Sequence, residues 1–141
     1  MKMKPPILLS MLTLGVMLAA ATPTLAHHSR AMFDMTQNLT YRGVVKEYRW
    51  QNPHSHIVIS VGTDATDPST VGTWDIEASS TSLMVSQGWN PKTLKQGDLI
   101  TVVAHPSRNG SKNLLLFYVI KADGTRLYRA QHRYPAEVET E

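Results

Sequence analysis

Cysteine is absent from the 141-residue chain, which excludes disulfide staples, thiolate metal sites and cysteine nucleophiles together. Phenylalanine is scarce, with two copies, and aromatic residues make up 7%. A core must therefore come from aliphatic side chains around a few tryptophans and tyrosines. An excess of one charge is also missing: 14 Lys plus Arg face 11 Asp plus Glu, and the basic residues are scattered. A nucleic-acid partner is not expected, because such proteins gather their basic residues on one face. Beyond residue 26 no apolar run approaches the roughly 20 residues of a spanning helix, and there is no internal repeat or low-complexity tract.

The first 26 residues stand apart from the rest. Lys2 and Lys4 precede an apolar run from Ile7 to Ala21, and Thr24-Leu25-Ala26 places small residues where a signal peptidase needs them. This pattern reads as a secretory signal peptide over 1–26. The expected location is periplasmic or secreted, with no membrane association after cleavage. Most of the formal charge of +3 leaves with the two leader lysines, so the mature protein is close to neutral. The remaining plan is an N-terminal arm over 27–38, one β domain over 39–130 and a polar tail over 131–141 that ends in several glutamates.

The β domain is legible from alternation and turn chemistry. Leu39 to Trp50 reads as a long strand with a glycine, Gly43, at its centre, where a strand bends or bulges. Asn52-Pro53 is a turn, and Ser55 to Val61 is the second strand, with Ile57, Ile59 and Val61 on its core face. Val71 to Ala78 is the third. A short helix follows, with Ser79 or Ser80 as its cap and Gly88 as its stop. Asn90-Pro91-Lys92 suggests one more helical turn. Leu99 to His105, Leu114 to Lys121 and Thr125 to Tyr128 are the last strands, with an Asn109-Gly110 hairpin before the fifth. Three strands, a helix and two strands predict a mainly β fold: a small five- to six-stranded OB-like Greek-key barrel with one short helix.

Six histidines are the chemically notable residues. If export frees His27, its α-amine and Nδ1 can chelate one metal ion, and a second imidazole completes a nitrogen set suited to Cu(II) or Zn(II). His54 and His105 both fall at strand ends, and His54 and His56 share the strand face opposite the isoleucines. The candidate metal ligands are thus His27, His28, His54 and His105, with His56 as an alternate. The competing reading makes them surface and turn histidines with ordinary hydrogen bonds. Trp50, Trp74 and Trp89 could form an aromatic platform for a ligand, but their settings favour core packing.

Catalysis is not indicated. Asp75 and Glu77 share one strand face without a nucleophile, and Ser29, Ser55 and Ser107 neighbour histidines without a nucleophile elbow. The function expected is a non-enzymatic, exported binding module with a copper or zinc site built from the histidine arm and the Asn-Pro-His turn. The alternative is a metal-free envelope protein that holds a partner protein, a glycan or a small molecule on its barrel loops.

The set Ala26-His27-His28-Ser29, Gly43-Val44-Val45, Trp50-Gln51-Asn52-Pro53-His54, Gln87-Gly88-Trp89, Leu94-Lys95-Gln96-Gly97-Asp98 and Ala104-His105-Pro106 resembles a family of small exported bacterial proteins of unknown function. The resemblance runs over nearly all of the mature chain. It implies export and a single compact β-rich domain, and no activity.

Overall fold

The structure, a computed structural model, describes residues 30–130. The leader, His27 to Ser29 and the tail from Gln131, with His132, lie outside the described residues. Six strands follow in chain order: β1 (Leu39–Arg49), β2 (His56–Val61), β3 (Gly72–Glu77), β4 (Leu99–Pro106), β5 (Asn113–Ile120) and β6 (Arg126–Tyr128). Among the described residues there is one α-helix, α1 (Thr81–Val85), between β3 and β4, with short 3-10 turns at Arg30–Met32 and Pro68–Thr70.

The sheet order is β3-β2-β1-β4-β5-β6, and a further parallel pairing of β3 with β5 closes the first five strands into a barrel. This is the expected OB-like arrangement, with β6 added at one edge. β1 belongs to both halves of it. Its first part, Leu39 to Val44, pairs with β4, and its second part, Val44 to Arg49, pairs with β2. The handover falls at Gly43, where a Cβ would lie 2.8 Å from the Ser60 carbonyl oxygen. Only a glycine lets the two strands approach so closely. The bulge itself comes later, between Val45 and Glu47.

The core follows the predicted alternation. Ile57, Ile59, Ile76, Val102, Leu114 and Leu116 are fully buried, and each contributes about 1.5–3 kcal/mol by leaving water. Helix α1 adds Met84 to the same cluster. Trp89 returns its amide to the Met84 carbonyl at 3.1 Å, just after Gly88 at φ +86°. Trp74 and Trp89 are buried and Trp50 packs on the core edge, so the tryptophans are structural.

Two local expectations need correction. Ser80 occupies the cap position of α1 but makes no side-chain cap bond. Asn52 does this work from the turn after β1, its Oδ1 accepting from the Thr81 amide at 3.0 Å and the Thr81 hydroxyl at 3.1 Å. The Asn90-Pro91 segment is a turn and not a helix: the Asn90 side chain accepts from the Lys92 amide, and the Thr93 hydroxyl accepts from the Asn90 amide. Asparagine offers the backbone an alternative to helical bonding.

The described part of the arm, from Arg30, is docked on the barrel. Asp34 donates its amide to the Pro106 carbonyl at 2.8 Å, and the Arg108 amide reaches the Met32 carbonyl at 2.9 Å. Phe33 bridges to Ser107 and is 4% exposed. With Val103 and Leu115 it is buried outside the main core, so the arm seals an apolar surface of its own.

Candidate functional site

The turn between β1 and β2 is fastened from below. Ser55 is fully buried, donates its amide to the Ser79 carbonyl at 3.0 Å and accepts at its own carbonyl from the Ala78 amide at 2.8 Å. Its hydroxyl reaches the Gln51 carbonyl at 3.3 Å. With Ser55 directed inward, pleating turns its neighbours His54 and His56 to the other face. Both are half-buried there.

Each imidazole meets a carboxylate on β3. His54 Nδ1 lies 2.8 Å from Glu77 Oε1, and His56 Nδ1 lies 2.7 Å from Asp75 Oδ1. The His56 ring donates from Nδ1 to Asp75, and in the neutral ring its Nε2 is left with the lone pair. This carboxylate-backed tautomer is the one that metal-ligating histidines use. The second pair is tied further, since Arg49 donates to Asp75 Oδ2 at 2.7 Å. Arg49 Nε is buried without a hydrogen bond, 3.6 Å from the Glu47 carboxylate.

Two cavities flank Glu77. One, of about 310 Å³, is lined by Arg30, His54, Glu77, Ser79, Leu83 and Arg129 among others. The other, of about 250 Å³, lies toward His56, Asp75, Phe33 and Asn113. The first matters most for the predicted arm. Arg30 is the first described residue of the chain, and it lines the cavity that His54 lines. Burial, and next the charge of Arg30, lower the pKa of the Arg129 guanidinium, while Glu77 opposes them.

His105 is elsewhere. It is 7% exposed, and its Nδ1 donates to the Gln37 carbonyl at 2.8 Å. Phe117 stacks nearby, with ring centroids 5.7 Å apart. In this position it fastens the arm to β4, and it shares neither cavity with His54. Of the predicted ligands, His27 and His28 lie outside the described residues. Among the described residues, no three His, Asp or Glu side chains group closely enough to hold a metal ion, so the barrel alone presents His54 singly.

Sequence reasoning missed three members of this site. In sequence Glu77 shows only as sharing a strand face with Asp75, whereas β2 and β3 place it opposite His56 in register, one step diagonally from His54. Arg30 and Arg129 come from opposite ends of the described chain, and no spacing rule joins them.

A family model, described as a family of unknown function (DUF6152), matches residues 15–116. The chain belongs to that family. The match takes in His27, His28, His54, Glu77 and His105, and it stops within β5, ahead of β6 and Arg129. No curated protein matches the chain.

Proposed function

We propose that this DUF6152 member is an exported, non-enzymatic binding module that takes Cu(II) or Zn(II) on His54 together with the arm histidines His27 and His28. The supporting observation is that Arg30 shares the His54 cavity. Three residues of extended chain span about 10 Å, so His27 and His28 fall within reach of that cavity. His54 suits the task because it lines that cavity, with the Glu77 carboxylate 2.8 Å from its Nδ1. Signal cleavage before His27 supplies the α-amine that turns the arm into a chelate. His105 holds the arm down and is not a ligand in this scheme.

The test is a titration of the processed, secreted protein with Cu(II) and Zn(II). Binding that weakens strongly both in His54→Ala and in a chain carrying one extra residue before His27 supports the reading. Equal affinity in all three proteins would remove it.

A second reading, a metal-free module for a small molecule or a partner, is favoured by one observation. Two arginines border the same cavity, and they raise the cost of placing a cation there.

A further inference from the structure

The two arginines of the His54 cavity are brought together without enough acid to balance them. Arg30 is exposed and Arg129 half-buried. Among the described residues neither guanidinium has a carboxylate within 4 Å. The one acid lining the cavity, Glu77, is already engaged by His54 at 2.8 Å. Like charges gathered in a partly desolvated site are unfavourable unless an anion joins them.

A polar group of a different kind points the same way. Ser79 is 4% exposed and lines the cavity, yet among the described residues its hydroxyl has no hydrogen-bond partner. Among the described residues Arg49 Nε alone is a buried side-chain polar atom without a partner, so the Ser79 hydroxyl is open to the cavity and free to donate to a ligand. Apart from Ser80 the rest of the wall is apolar, with Pro53 exposed and Leu83 53% exposed. At about 310 Å³ the cavity exceeds what an inorganic anion needs and falls at the small end of organic-ligand sites.

We propose that this cavity binds a small organic oxyanion, a carboxylate or a phosphate monoester, with Arg30 and Arg129 on its charged head, Ser79 donating to it, and Pro53 and Leu83 against its apolar body. Guanidinium forks match both head groups. The proposal rests on the metal-free reading and names its ligand class.

The experiment uses the secreted protein, stripped of metal and dialysed, with benzoate, phenyl phosphate, inorganic phosphate and neutral benzyl alcohol as probes. Amide shifts of residues 77–83 and 129 report binding. Benzoate and phenyl phosphate bind, and their ratio identifies the head group. Arg30→Gln and Arg129→Gln each weaken both at least tenfold, while Arg42→Gln on β1 changes nothing. Glu77→Gln tightens them several-fold, because it removes the competing negative charge; loss of a merely structural residue would not tighten binding. Leu83→Ser weakens the phenyl probes and spares inorganic phosphate. If Arg129→Gln fails to fold, Arg30→Gln and Arg129→Lys carry the test. Benzyl alcohol binding as well as benzoate overturns the oxyanion while leaving a ligand cavity. No shift with any probe also overturns it, and leaves a protein partner as the form of the metal-free reading still to be tried.

Discussion

His54 with Glu77 and His56 with Asp75 are near copies: His54 just before β2 and His56 at its start, facing carboxylates two residues apart on β3, at 2.8 and 2.7 Å. Their surroundings separate them. Asp75 gives its second oxygen to Arg49 at 2.7 Å, and Arg49 lies beside Glu47, so Arg49 sits between two carboxylates and Asp75 also accepts from His56. Glu77 has only the His54 ring within ion-pair distance among the described residues and lines both cavities. One pair is closed by its own strand neighbours. The other leaves an imidazole beside a cavity that the arm enters.

The largest expected effect comes from loosening the arm, which should act on one pair and not the other. Phe33→Ala removes the arm's buried anchor and should cost about 3 kcal/mol, the low end for a buried Phe because the site lies outside the main core. Urea denaturation measures that loss. On the proposed scheme Cu(II) affinity should fall with it, since the segment that carries His27 and His28 is then no longer docked, while NMR of the His56 ring should stay unchanged. A variant that loses stability yet keeps full affinity would separate the arm from the site.

Next in size is the direct contrast of the two imidazoles. His54→Ala should lower Cu(II) affinity at least a hundredfold, the upper end of what loss of an outer-shell partner alone costs. His56→Ala should lower it less than twofold. Equal losses, read by competitive titration, would mean that the cavities do not distinguish the pairs.

The barrel was largely legible, and for a plain reason. Strand alternation such as Ile57, Ile59 and Val61, and turn residues such as Asn52-Pro53 and Asn109-Gly110, are local signals, and the six strands follow them to within a residue or two. The site was less so. Its parts are joined by register and closure, which no local pattern contains: Glu77 meets His54 only through the β2–β3 ladder, and Arg30 meets Arg129 only because the ends of the domain converge. His105 was equally illegible: nothing in the sequence reveals that it will lie 7% exposed with its Nδ1 on the Gln37 carbonyl, away from the cavity that His54 lines.

The carboxylates should differ in stability more modestly. Asp75→Asn disrupts bonds to both Arg49 and His56 and should cost about 1–2 kcal/mol, tempered because both sites are about one-third exposed. Glu77→Gln, which alters only the contact with His54, should cost under about 1 kcal/mol and show its effect in ligand affinity instead. Denaturant midpoints compare the two. Reversed costs would mean that Glu77 and not Asp75 is the structural acid.

The smallest effect lies in the hinge that carries the arm toward His54 and past His56. Asp34 accepts from the Thr36 hydroxyl at 2.7 Å, the Thr36 amide at 3.1 Å and Gln37 Nε2 at 2.8 Å. These bonds, the Thr36 hydroxyl first, hold its carboxyl below the ordinary value of 3.8. A carboxyl depressed on folding stabilises the folded state above its ordinary value, and that contribution fades as pH falls through the folded value. The melting-temperature gap between the wild type and Asp34→Asn should therefore be full at neutral pH, hold down to the ordinary value and narrow below it. Because other carboxylates titrate equally in both proteins, the gap isolates Asp34. A gap that stayed constant into strong acid would show that the turn holds the arm through its backbone bond to Pro106 alone.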